Sequence, residues 1–199
     1  MTVDLRSTYL GLELRSPLVA SPSPLTGELY SALALVEAGA AALVLPSLFE
    51  EEIVHEEIEL NRSLEAGTEA FAEALDYFPA IEEVAFAGDR YLDYLRRLKA
   101  AAGVPVLASL NAVTAGGWVR YARLMQDAGA DALELNLYHL AADPDRSAVD
   151  METRDLALVA AVREAVTIPL AVKLSPYYSA LASFARSVGG WGPRGGGRG

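Results

Sequence analysis

The chain has 199 residues, 52% of them apolar, with a formal charge of -11 and no cysteine. That is enough apolar material for one domain with a real core, and it excludes a disordered chain. The acidic balance leaves no basic face for phosphates, so nucleic acid is not an expected partner; the lack of thiols removes disulfides, thiolate metal sites and a cysteine nucleophile, and fits a reducing cytosol.

Asp4 and Arg6 precede any apolar run, which is not the pattern of a signal peptide, and no stretch approaches the ~18 uncharged apolar residues of a membrane helix. Leu5 to Leu14 alternates around Gly11 and reads as a hairpin of the kind that plugs the bottom of a barrel. Ser16 to Ala20 is the first parallel strand, followed by a stiff polar loop, Ser21 to Thr26, with two prolines and three hydroxyls. That loop is either a rigid connector or a place where Ala20 and Ser21 meet a ligand at a strand's carboxyl end.

Gly27 to Glu37 supplies a helix and Ala41 to Leu45 the second strand, which Pro46 to Phe49 leaves. An acidic insertion runs from about Glu50 to Gly88, far longer than the usual ~2 to 6 residues of such a loop. Apolar residues 53, 54 and 58 share a helical face in it, and its carboxylates read as a solvated face. Insertions of this size form lids or oligomer contacts. Asp89 to Ala102 is amphipathic, with Arg96, Arg97 and Lys99 as surface charges. Val104 to Leu110 is the third strand, delivering Ser109 and then Asn111. Gly116 and Gly117 open the next helix; without a fuller nucleotide fingerprint they read as a flexible turn more readily than as a phosphate cradle.

Two patterns alternate along the chain. Ala38 to Leu45 and Ala128 to Leu135 each close a helix on glycine and pass directly into a strand; Val104 to Leu110 and Ile168 to Leu174 each begin a strand beside proline. Alternating βα units with nearly all-apolar strands mean a parallel sheet covered by helices. The fourth strand ends in Asn136, Leu156 to Val166 is a helix, and the fifth strand ends in Lys173. An ammonium among Ala171, Val172 and Leu174 is costly to bury without an anion or acceptors. It is read as a salt bridge to Glu134, as a holder of a cofactor's electron-rich edge, or as a Schiff-base lysine.

The order of Pro-Leu-Val-Ala-Ser at 17–21, Glu-Leu-Asn-Leu at 134–137 and Ala-Val-Lys-Leu-Ser-Pro at 171–176 resembles the dihydroorotate dehydrogenase family, in particular its bacterial dihydroorotate dehydrogenase-like branch, over about Leu5 to Val188. The resemblance implies a (β/α)8 TIM barrel that binds FMN above its strand ends and oxidises dihydroorotate to orotate in pyrimidine biosynthesis. It implies that Ala20 and Ser21 lie under the flavin, that Ser109 approaches its ring, that Lys173 holds its polar edge and that Asn136 touches flavin and substrate. It also implies a cytoplasmic enzyme with a small-molecule substrate and no metal, and a homodimer is an expectation.

The departures from the family are specific. Where members carry Asn-hydrophobic-Ser-Cys-Pro-Asn, this chain reads Asn136-Leu-Tyr-His-Leu-Ala141, so His139 stands at the position of the base and Ala141 replaces a substrate asparagine. A neutral imidazole can take a proton near pH 7. Pro46-Ser47 stands where the family has a lysine, leaving Ser47 to meet the substrate. Only about five βα units are present of the eight that close a barrel, and from about 189 to 199 the chain is a glycine-rich tail without apolar period. That tail reads as a truncation or frameshift product or as a natural flexible tail. Two further readings stay open: a Schiff-base aldolase using Lys173, and a non-catalytic truncated relic.

Overall fold

The computed structural model describes residues 3–56, 58, 87–112, 114–138 and 142–190. The chain opens with an antiparallel hairpin, β1 (Ser7–Tyr9) and β2 (Leu12–Leu14). Its two-residue turn places Leu10 at φ 54 and Gly11 at φ 79, the left-handed pair that matches strand twist. Five parallel strands follow in one sheet: β3 (Val19–Ala20), β4 (Ala42–Phe49), β5 (Val106–Asn111), β6 (Ala132–Leu137) and β7 (Leu170–Leu174). Between and after them come α1 (Leu29–Glu37), α2 (residues 50–56), α3 (Ala87–Ala102), α4 (Ala115–Asp127), α5 (Ala148–Ala165) and α6 (Leu181–Gly189).

Spatial strand order equals chain order. A sheet wound in one direction, with crossovers of one hand, carries all its helices on one face and curls its other face inward. The protein is therefore an α/β half-barrel, five consecutive units of the (β/α)8 type. On the helix side, Leu43, Leu45, Leu48, Val106, Leu110, Leu133 and Leu135 pack against α1, α3, α4 and α5 in one buried cluster. Each fully buried leucine contributes roughly 1.5–3 kcal/mol. On the inner face, Val19, Ala42, Val44, Leu107 and Ala132 meet Leu10, Leu12 and Leu14 of the hairpin, which packs at the amino-terminal end of the strands.

Several boundaries differ from the sequence expectation. The first strand is only Val19–Ala20, while β4 runs on through Pro46 to Phe49. Pro46 is tolerated because the β4–β5 register slips between Val44 and Ser47, at a bulge where a missing N–H costs no rung. Helix α5 begins eight residues before the expected Leu156, behind a capping box of Ser147 and Asp150. Gly189 and Gly190 belong to α6 and its cap rather than to the tail. The remaining tail (191–199) and most of the acidic insertion (57 and 59–86) lie outside the described residues.

The charges expected to be solvated are partly structural. Ile53 is buried while Val54 and Ile58 are exposed, so the apolar face of α2 is narrower than expected. Glu50, 9% exposed, receives the Thr114 N–H at 2.8 Å and its hydroxyl at 2.6 Å, at the amino terminus of α4. A Cβ on Gly117 would overlap that carboxylate. Gly117 is thus required by Glu50, and the place where a phosphate would sit is taken by the chain's own anion. Glu56 receives the Ala87 N–H at 2.6 Å at the start of α3, and Lys99 binds both oxygens of Asp131 at 2.7 Å. No described helix is long and apolar enough to cross a membrane.

Candidate functional site

Above the hairpin, the inner face changes from methyl groups to polar groups. Ser109 and Glu134 lie opposite each other on β5 and β6, and Asn136 lies opposite Lys173 on β6 and β7. Strict alternation along β4 from Ala42 and Val44 would turn Ser47 outward. The bulge adds one residue, so Ser47 aligns with Ser109 and points inward.

These side chains form one hydrogen-bonded cluster. The Ser47 and Ser109 hydroxyls are 2.8 Å apart. Asn136 Nδ2 donates to Ser47 Oγ at 2.6 Å and to Ser109 Oγ at 3.0 Å. Ser109 Oγ donates to Glu134 Oε1 at 3.2 Å, and Lys173 Nζ stands 3.5 Å from the same oxygen. Asn136 is 6% exposed, and its Oδ1 has no partner among the described residues. An amide oxygen left unpaired at that depth loses its hydration without replacement. It is an acceptor waiting for a donor.

Two cavities flank the cluster. One of 450 Å³ opens beyond the strand ends and is lined by Asn136 with Phe49, Asn111, Trp118, Arg146 and Arg154. The other, of 480 Å³, lies along the inner face and is lined by Glu134 with Tyr9, Val19, Ser21 and Val44. Asn136 and Glu134, two residues apart on β6, thus face different spaces from one polar wall.

Ser47, Ser109, Asn136 and Lys173 come together in this cluster through Glu134, with Ser21 lining the inner-face cavity. Ala20, Ser109 and Lys173 differ in detail from expectation. The Ala20 methyl packs toward the helix-side core, so only its backbone can face the inner cavity. Ser109 is fully buried with its hydroxyl already engaged on protein atoms, so it supports its neighbours rather than presenting a free group. Lys173 is not a buried ammonium: its side chain keeps 49% of its surface, because β7 is paired on one side only, and its partner is Glu134. His139 and Ala141 lie outside the described residues. Sequence reading missed Tyr91, whose hydroxyl contacts the Ser109 backbone, and the bond from the Ser109 hydroxyl to Glu134.

No family model matches the chain. It is 27% identical over 201 aligned positions to the catalytic subunit of dihydroorotate dehydrogenase B (NAD(+)) from Thermoplasma acidophilum, an alignment covering 93% of this chain and 59% of that protein. The chain therefore spans about three fifths of the length of the curated relative it matches. Among solved structures, dihydrodipicolinate synthase DapA-2 from Bacillus anthracis is similar over 78% of this chain and 44% of its own, at 12% identity and a TM-score of 0.44. The chain is distantly similar to an oxidoreductase subunit.

Proposed function

We propose that this chain has the chemistry of a flavin-dependent oxidoreductase of the dihydroorotate dehydrogenase type, acting on dihydroorotate or a related small cyclic substrate in cytoplasmic pyrimidine biosynthesis. The observation that carries the proposal is the unpartnered Asn136 Oδ1, buried at the strand ends within a hydrogen-bonded cluster. The sequence similarity to a dihydroorotate dehydrogenase catalytic subunit supports it.

The residues present suit FMN. A flavin ring offers an N–H donor for an amide acceptor and electron-rich oxygens for an ammonium; Asn136 Oδ1 and the half-exposed Lys173 supply those two counterparts. When bound, FMN would supply the two-electron acceptor that no side chain can provide. The chain's own residues bind and orient. Ser47 and Ser109 hold the Asn136 amide in one rotamer by accepting from its Nδ2. Glu134 holds the Lys173 side chain toward the inner face. His139 would take the substrate proton on an imidazole nitrogen. A homodimer belongs to the same proposal, with sedimentation equilibrium as its measurement.

The decisive experiment is anaerobic. Purified chain is titrated with FMN, following quenching of flavin fluorescence, and dihydroorotate is then added. A saturable complex whose yellow absorbance bleaches on addition of substrate supports the proposal, and absence of binding removes it. Borohydride trapping of a ketone on Lys173 in a colourless protein would instead mark a Schiff-base enzyme.

A further inference from the structure

The bulge that turns Ser47 inward makes the β4–β5 pairing irregular, and a helix side chain reaches the strand there. Leu43 N–H donates to the Pro105 carbonyl at 3.0 Å, which fixes the odd-numbered residues of β5 as those whose backbone groups turn toward β4. In an unbroken ladder Ser109 would therefore bond β4 on both sides of Pro46, at the Leu45 carbonyl and the Ser47 N–H. The register shift between Val44 and Ser47 brings Ser109 opposite Ser47 instead. Tyr91 of α3 stands against this irregularity. Its hydroxyl accepts from Ser109 N–H at 3.0 Å and donates to the Ser109 carbonyl at 3.3 Å. Burial holds the phenol far above its ordinary range, so it stays protonated and does both.

The geometry points to Tyr91 as a positioning residue for the site: its hydroxyl bridges the Ser109 backbone where the β4–β5 register shifts, and so fixes where Ser109, and through it Ser47 and Asn136, present their polar atoms. It acts through Ser109, whose backbone it bridges and whose hydroxyl meets Ser47, Glu134 and Asn136. A phenylalanine at 91 would satisfy the same packing but remove both hydrogen bonds to the Ser109 backbone. The consequence for a bound ligand rests on the flavin proposal, whereas the effect on Ser109 does not.

The test compares the full chain with its Tyr91→Phe variant by NMR hydrogen exchange. Exchange of the Ser109 amide is expected to accelerate by about tenfold or more, while Val106 and Leu133 change by less than about twofold. The Asn136 side-chain amide resonances shift with it. Unchanged Ser109 exchange overturns the inference, as does a uniform acceleration of all three amides, which is what a plain packing role would give. If the variant does not fold, 3-fluorotyrosine labelling of the unmutated chain decides: the Ser109 amide resonance moves with the altered acidity of the phenol, and an unmoved resonance overturns the inference. In the FMN titration the Tyr91→Phe dissociation constant rises about tenfold; an unchanged constant overturns the link to the site. If the unmutated chain binds no FMN, the flavin proposal falls, while the exchange result still decides the role of Tyr91.

Discussion

Glu134 and Lys173 form a diagonal pair across β6 and β7, Glu134 opposite Ala171 and Lys173 opposite Asn136, with Nζ 3.5 Å from Oε1. The two ends are unequally buried: the lysine keeps 49% of its side-chain surface and the glutamate 12%. A pair this open at one end contributes at most about 1 kcal/mol to stability. Its geometry nevertheless holds an ammonium against the inner face.

Lys173→Met should therefore separate stability from binding. Urea unfolding should shift by about 1 kcal/mol or less, while on the flavin proposal affinity for FMN should fall by about tenfold or more, the loss expected for one charge-assisted contact. A large loss of stability with unchanged flavin affinity would reduce Lys173 to an internal salt-bridge partner.

Asn136 permits a sharper contrast. Asn136→Leu removes an unsatisfied oxygen together with a donor, and the two serine hydroxyls keep each other and Glu134, so the net cost should be about 1–2 kcal/mol. Asn136→Asp places a second carboxylate close to Glu134 in a buried site, at about 2–4 kcal/mol. Like charges raise the native pKa of such a carboxyl. The penalty is thus greatest at neutral pH and shrinks as the pH falls and one carboxyl takes a proton. Urea unfolding of both variants at neutral and mildly acid pH checks the sign; an Asp deficit that grows on acidification would contradict the placement.

The sequence made the repeat legible and hid what crosses it. Gly39 and Gly129, at φ 112 and 97, close α1 and α4 ahead of their strands as the spacing predicts, and five strands follow in the expected order. Such signals are local, because a helix stop and an apolar run lie within ten residues. Glu50 and Glu56 looked like solvated surface because their partners, Thr114 and Ala87, are 64 and 31 residues away. The inward turn of Ser47 depends on a slip against β5 that no property of residues 42–49 announces. Lys173 was expected to be buried because apolar neighbours in a strand do not say whether that strand has one partner or two. Tyr91 carried no signal beyond its place on an amphipathic helix.

Gly117 and Glu50 should be strongly non-additive. Gly117→Ala drives a Cβ into the Glu50 carboxylate, costing about 1–3 kcal/mol as an overpacked contact. Glu50→Ala removes the acceptor for Thr114 N–H and Oγ, costing about 1–2 kcal/mol as a lost helix-end contact. With the carboxylate gone, the alanine at 117 has room and regains helix propensity. The double variant should be no less stable than Glu50→Ala alone, giving a coupling of about 1–3 kcal/mol in a double-mutant cycle. Simple additivity would show that the carboxylate does not occupy this helix end in solution.

Glu56 supplies the acid-side prediction. The hydrogen bond from Arg90, then the Ala87 N–H, with the Arg90 charge as a smaller contribution, holds its carboxyl below the usual glutamate range. A depressed native pKa means that the unfolded chain takes up the proton first. The stabilisation is then complete above the unfolded value of about 4.3 and is lost as the pH falls through the lower native value. Glu56→Gln should accordingly be less stable than the unmutated chain at neutral pH and equal to it once both carboxyl forms are protonated. Because the pair is largely exposed to solvent, the neutral-pH difference should also shrink in high salt. Denaturant unfolding at about pH 7 and about pH 3, each at low and high salt, measures all four points. A gap that persists at the acid end would mean that packing of the side chain, and not its charge, ties α2 to the start of α3.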